Sequence, residues 1–253
     1  MKTKKLFVAT AVLIAVVFGF TACIYGSKGN SATYPSCAVV VYYNVDMGGT
    51  IIGTPTPYGY CAAPELSGTY NPGDGLILNS FMIDGDNQPS TQYITASNIS
   101  VSEVVPPFQF RSGQYDLTDL GVYTLPISNI LSLSSNPCYG GKVFFTLVSK
   151  DNGPNYLLTY NTAEPDSAGI KNLYLQAQPL SASTTDVQKN YLCDLSSLIY
   201  QFGIDTTVSS VNYKYIKINL KYYTGMSDTN TPKYKPANDP NSPLYISVFK
   251  DGL

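Results

Sequence analysis

Few side chains in this sequence are equipped for chemistry. There is no histidine among its 253 residues, which removes the common Ser–His and Cys–His forms of nucleophile activation and the histidine ligands of zinc and haem. Paired carboxylates remain as a catalytic option, since glycoside hydrolysis needs only two. The three glutamates, Glu65, Glu103 and Glu164, are scattered, and none sits in an apolar strand that would favour its protonated form. Asp116 and Asp119, in Tyr-Asp-Leu-Thr-Asp-Leu, read as residues that fix a turn through side-chain bonds to the backbone. Asp84-Gly85-Asp86-Asn87 lacks the later glycine and the glutamate of a calcium loop, and reads as a hairpin tip. Gly140-Gly141-Lys142 has the wrong spacing for a phosphate loop. The expectation is no catalytic residue, no metal, no cofactor and no enzymatic activity.

Cysteine and tyrosine are the remaining candidates. Cys37, Cys61, Cys138 and Cys193 contain no C-x-x-C pair, so a zinc site is not expected. An even number in an exported chain suggests disulfides, with three pairings open. Cys37–Cys61 and Cys138–Cys193 would keep each bridge within one domain, and free buried thiols are the rival reading. The 22 tyrosines, set against no tryptophan, gather in two places: Tyr42, Tyr43, Tyr58 and Tyr60, and later Tyr213, Tyr215, Tyr222 and Tyr223. Tyrosine offers a rigid amphipathic contact surface, so the first group is the candidate for ligand contact. Ordinary sheet packing with hydroxyls in water is the plainer alternative.

The elements that would position these residues follow an export leader. Lys2, Lys4 and Lys5 precede the apolar run Leu6–Phe20 and the small residues Thr21 and Ala22, the form of a signal peptide and shorter than a spanning helix needs. Phe20-Thr21-Ala22-Cys23 resembles a bacterial lipobox, which makes Cys23 the acylated first residue of the mature chain and the bilayer its partner. Residues 23–32 form a flexible tether. Without the three leader lysines the mature chain holds 12 basic and 17 acidic residues. Such a charge lacks the clustered cations that nucleic acid requires.

Beyond the tether the pattern is β. Ile216, Ile218, Leu220 and Tyr222 alternate with Lys217, Asn219 and Lys221, a half-buried strand with a period of two. Leu173–Ala177 and Ile99–Val101 alternate likewise, and Cys37–Tyr43, Gly75–Ile83, Lys142–Ser149, Asn155–Asn161, Tyr191–Leu195 and Leu244–Phe249 are further strands. Asp151-Asn152-Gly153-Pro154, between two apolar runs, is the strongest hairpin signal. Helix is expected only near Ser128–Leu133 and Leu195–Gln201, and Thr224–Pro243 reads as a long loop. Val104-Val105-Pro106-Pro107 is the boundary, dividing the chain into domains at 33–107 and 113–253.

Several segments resemble the NigD-like lipoproteins of anaerobic Gram-negative bacteria. They are the anchor, Asn71-Pro72-Gly73-Asp74-Gly75-Leu76-Ile77-Leu78-Asn79, Tyr93–Val101, Cys193–Leu198 and the strand Ile218–Thr224. The resemblance implies an N-terminal OB-like barrel followed by an antiparallel β-sandwich, and a place in the outer membrane facing either side; it transfers no functional residue. The function expected is a non-enzymatic envelope module that binds a protein, peptide or glycan. A fimbrillin-like structural subunit or adhesin is the alternative, although the only arginine, Arg111, lies deep in the chain rather than near the first strand. A hydrolase using Asp or Glu is the third reading.

Overall fold

The structure is a computed structural model, which describes residues 31–84, 94–166, 169–239 and 241–250. The leader, Cys23, Tyr93 and most of the turn 84–87 lie outside the described residues. Among the described residues the chain is nearly all strand, with one short helix. No helix among them is long and apolar enough to cross a membrane.

The first sheet holds β1 (Ser31–Tyr34), β2 (Cys37–Asn44), β3 (Gly49–Gly53), β4 (Tyr60–Ala62), β5 (Gly75–Asp84) and β6 (Ala96–Val105). The last two residues assigned to the tether, Ser31 and Ala32, belong to β1 and pair with Asp84 and Ile83. β2 pairs antiparallel with β3 and β5, β3 with β4, and β5 with β6. A parallel bridge between Ala62 and Thr95 joins β4 to the residue preceding β6. Five strands therefore close in the ring order β2-β3-β4-β6-β5, an OB-type barrel that leaves few open edges. Its interior is aliphatic, built on Val39, Val41, Ile52, Leu76, Leu78 and Ile83 with Phe81. Glu65, in the 3-10 turn Pro64–Leu66, accepts the backbone N–H groups of Asn98 and Ile99, both at 3.0 Å, and so clamps β6 where its ladder is irregular.

The chain leaves this sheet at Val105 and enters the next at Pro107. The second sheet contains β7 (Pro107–Gly113), β8 (Ile127–Ser135), β9 (Lys142–Asp151), β10 (Asn155–Asn161), β11 (Ile170–Gln178), β12 (Ala182–Asp194), β13 (Ile204–Val208), β14 (Val211–Met226), β15 (Pro232–Pro236) and β16 (Leu244–Phe249), with α1 (Ser196–Phe202) after β12. β7 is the fold line: Pro107 and Phe108 pair with β12, whereas Gln109–Gly113 pair with β10. The half made of β8, β9 and β12 thus lies over the half made of β10, β11 and β14. One core joins them, with Val143, Phe145 and Leu147 from one side and Leu158, Leu173, Leu175, Ile216 and Ile218 from the other.

Four expectations need correction. The second unit is mixed rather than purely antiparallel, because β7 runs parallel to β10 and β12, and β11 parallel to β14; such pairs need crossovers in place of hairpins. Asp151–Pro154 is not a hairpin turn. β9 and β10 do not pair with each other, and the turn carries the chain from one half to the other. The buried Asp151 carboxylate holds this corner, accepting N–H groups from Gly153 at 2.9 Å and from Leu180 and Ser181 at 2.8 Å. Residues 128–133 are strand β8, not helix. Register shifts between Ile127 and Asn129 and between Ile130 and Ser132 insert extra residues, so Ile127, Ile130 and Leu133 reach the core at a spacing of three that imitates a helix. The loop 224–243 contains strand β15, which pairs with the C-terminal part of β14.

Candidate functional site

Barrel and second sheet meet along an apolar seam of Val40, Val105, Tyr139, Phe144 and Leu192. Close approach here depends on Gly75, where a Cβ would lie 2.9 Å from Leu192 and 3.0 Å from Phe144. Tyr139, in the 3-10 turn Pro137–Tyr139, donates its hydroxyl to the Ala38 carbonyl at 2.9 Å, a bond from one sheet to the other.

Beside the seam lies a cleft of about 270 Å³. The barrel contributes Tyr42 and Tyr60, and the second sheet contributes Pro137, Gly140, Ser196, Tyr200, Val248 and Phe249. Tyr42 and Tyr60 meet edge to face at 6.0 Å, and Tyr60 lies 6.0 Å from Phe249. Gly140 caps the 3-10 turn in the left-handed region at φ 60°, and a Cβ there would stand 2.7 Å from the Tyr42 hydroxyl. Only glycine allows both the turn and the tyrosine.

Tyr42 carries the unusual electrostatics of the cleft. Its hydroxyl is buried without a hydrogen-bond partner among the described residues. Burial, then the neighbouring Tyr60 and Asp194, hold its proton on well above the usual phenol range. Tyr60 is pushed up in the same direction by burial, with Cys138 and Tyr200 adding to it. Asp194 is held below the usual carboxylate range: burial opposes this, but Lys142 at 2.7 Å and the Ser196 hydroxyl and N–H, at 2.6 and 2.9 Å, outweigh it. The cleft is therefore neutral, aromatic, and edged by fixed polar groups.

Of the four tyrosines selected from the sequence, Tyr42 and Tyr60 line this cleft. Tyr43 is 63% exposed and lies outside the lining, and Tyr58 packs edge-on to Tyr34 at 6.4 Å. The later group divides as well. Tyr222 is buried on the core face of β14. Tyr223 is buried on the outer face against Tyr234, and Tyr213 and Tyr215 sit half-exposed further along that outer face. Tyr200 and Phe249 were not singled out. The alternation of Tyr245, Ser247 and Phe249 with Ile246 and Val248 was the available signal, since it turns an aromatic outward from a strand already recognised.

All four cysteines among the described residues are free thiols. The bridge Cys37–Cys61 is not formed because Cys37 lies on β2 and Cys61 on β4, with β3 between them. That puts the strands about 10 Å apart, beyond the reach of a disulfide. Cys138–Cys193 is also open. Cys193 belongs to the core of the second sheet, whereas Cys138 faces the barrel, its sulfur 3.0 Å from where a Gly59 Cβ would stand. Burial pushes Cys37, Cys61 and Cys138 up to about 12. Among the described residues no group of three or more acidic or thiol side chains is placed to hold a metal. Asp116 and Asp119 fix local turns, accepting the N–H of Thr118 at 2.9 Å and of Gly121 at 3.0 Å. Glu103 and Glu164 accept from Asn190 at 2.7 Å and from Tyr174 at 2.6 Å. A larger cavity of about 520 Å³, between Leu125–Ser128, Lys150, Tyr222, Thr224 and Lys235, takes in Tyr222 of the later group but contains neither an unpartnered buried group nor any of the four tyrosines selected for ligand contact; the smaller cleft has both.

Fold and cleft together define an all-β protein in which a small barrel and a sandwich enclose an aromatic recess. No family model and no curated protein matches the sequence. Solved structures do. An uncharacterised protein from Parabacteroides merdae is 14% identical, with a TM-score of 0.56 over 85% of this chain and 99% of that one. A candidate lipoprotein from Bacteroides fragilis is 12% identical, with a TM-score of 0.50 over 81% and 96%. A NigD-like immunity protein from Bacteroides caccae is 15% identical, with a TM-score of 0.48 over 87% and 98%. At these identities the likeness is one of fold.

Proposed function

We propose that this chain is a NigD-like lipoprotein, held in the outer membrane through acylated Cys23, that binds a protein, peptide or glycan without catalysing a reaction. The observation that carries the binding reading is the aromatic cleft shared by the two sheets, where Tyr42 and Tyr60 from the barrel meet Tyr200 and Phe249 from the second sheet. Ligand sites favour such junctions, where apolar walls surround a few fixed polar groups. The buried Tyr42 hydroxyl would gain a partner from a bound acceptor, and leaving it unpaired costs about 1–3 kcal/mol. No carboxylate lines the cleft, so acid–base chemistry by paired carboxylates has no seat in it. The leader, Cys23 and the fold shared with a candidate lipoprotein support the anchor.

Peptide and glycan arrays probed with the mature chain test the binding reading. A ligand captured by the wild type and lost in Tyr200→Ala is the expected result, because Tyr200 is 57% exposed and its truncation spares the fold. Turnover of an envelope substrate with no captured ligand would refute it. Metabolic palmitate labelling that is abolished by Cys23→Ser is the expected result for the anchor; equal labelling of both proteins removes it.

A further inference from the structure

The cleft opens, through Phe249, onto the outer face of the second sheet. Ile216, Ile218, Ile246 and Val248 point into the core. Period-two alternation therefore sends Tyr213, Tyr215 and Lys217 of β14, with Tyr245, Ser247 and Phe249 of β16, to the other side. The register sets Tyr213 opposite Phe249 and Lys217 opposite Tyr245. Tyr213 and Phe249 lie 5.3 Å apart and are inclined by 33°; Tyr215 and Tyr245 lie 5.8 Å apart and are inclined by 34°. On β14 the two tilted pairs are set two residues apart, about 7 Å; on β16 their partners, Phe249 and Tyr245, stand four residues apart with Ser247 between them. Tyr60 extends the row into the cleft, 6.0 Å from both Phe249 and Tyr42.

Resting on the binding role proposed above, we infer that the occupant is a linear neutral glycan, lying across the Tyr215–Tyr245 and Tyr213–Phe249 pairs with one end in the cleft. Sugar rings present apolar C–H faces and hydroxyl edges, and tyrosine presents an apolar ring with a hydroxyl at its rim, so the two match face to face and edge to edge. An extended peptide instead binds by adding to a strand edge. β14 is paired on both sides, with β13 and β11 along it and with β16 and β15, while β16 pairs only with β14 among the described residues; the rings stand on the face of these strands rather than along that edge. The outward row contains no carboxylate and a single cation, Lys217, whose ammonium lies 5.8 Å from the centre of the Tyr245 ring. Such a row suits an uncharged chain better than a polyanion.

Calorimetric titration of the mature chain, carrying Cys23→Ser to keep it soluble, with cello-, xylo- and manno-oligosaccharides from disaccharide to octasaccharide tests this. The expected result is affinity that rises with length for one series. Tyr245→Ala should weaken the longest member about two- to tenfold, the range of one aromatic contact, and leave the disaccharide unchanged; Tyr200→Ala should weaken both. Tyr245 is 55% exposed, so its truncation does not threaten folding. Affinity independent of length, or a Tyr245→Ala variant that binds the longest sugar as the wild type does, overturns the inference and leaves the cleft reading standing if Tyr200→Ala still matters. Binding of apolar peptides with no oligosaccharide bound overturns the glycan. Loss of every ligand response, Tyr200→Ala included, removes the underlying binding role as well.

Discussion

The barrel and the second sheet treat aromatic hydroxyls in opposite ways. In the second sheet, three buried tyrosines are tied down by their hydroxyls: Tyr156 donates to Ser149 at 3.2 Å, Tyr174 to Glu164 at 2.6 Å, and Tyr139 to Ala38 across the seam at 2.9 Å. In the barrel, Tyr42 buries a hydroxyl that has no partner among the described residues. A satisfied hydroxyl fixes a core, whereas an unsatisfied one is a cost that the fold carries. The difference separates tyrosines that build the protein from one that faces a recess and is free to pair with something else.

The largest test of this division falls on the seam, where both parts share one apolar cluster. Phe144→Ala should lower stability by about 3–5 kcal/mol, because Phe144 is only 5% exposed and packs against the Gly75 turn into β5. Urea unfolding followed by circular dichroism and by tyrosine emission should shift together, since the cluster draws residues from both sheets. A midpoint equal to that of the wild type breaks the picture of a shared seam.

Asp151 offers a smaller effect confined to the second sheet. Burial alone would raise its pKa, but the three backbone N–H groups and Lys189 outweigh this and hold the carboxyl below its ordinary range. Its folded pKa therefore lies below the unfolded value of about 3.9. The stability it supplies is present above that value and is lost as pH falls through the folded pKa. Asp151→Asn should cost about 2 kcal/mol at neutral pH, and the gap between the two unfolding curves should close as pH falls below about 4. A gap that widens on acidification contradicts the assigned role. Thiol counting probes the barrel in the same spirit. The denatured mature chain should titrate four thiols besides Cys23, and the native one should react slowly, as burial of Cys61, Cys138 and Cys193 requires. A lower denatured count would reveal a bridge.

What the sequence made legible was whatever a local period could express. Ile216, Ile218, Leu220 and Tyr222 are buried as their alternation required, and β10 and β16 begin and end where their apolar runs do. Bulges defeated the same reading in β8, because two register shifts gave a strand the apolar spacing of a helix. Partner choice was equally hidden. Asp151–Pro154 has ideal turn chemistry, but a turn does not say whether its flanking strands pair or part to opposite halves of a sandwich. The candidate site was half legible: Tyr42 and Tyr60 stand close in the chain, whereas Tyr200 and Phe249 reach them only because the seam brings the end of the second sheet against the barrel.

The finest discrimination comes from removing one oxygen atom on each side of the division. Tyr139→Phe deletes the donor to Ala38 and leaves that carbonyl in a buried seam, so it should cost about 1 kcal/mol. Tyr42→Phe removes a buried hydroxyl with no partner, so no bond is lost and the desolvation cost of the group disappears. Its stability should match or exceed that of the wild type by about 0.5–1 kcal/mol. Ligand binding should move the other way and weaken, because the hydroxyl's role is to meet an acceptor in the cleft. A Tyr42→Phe protein that is less stable than the wild type would mean that the hydroxyl already has a partner, and the contrast between the two halves would fail at the residue on which it rests.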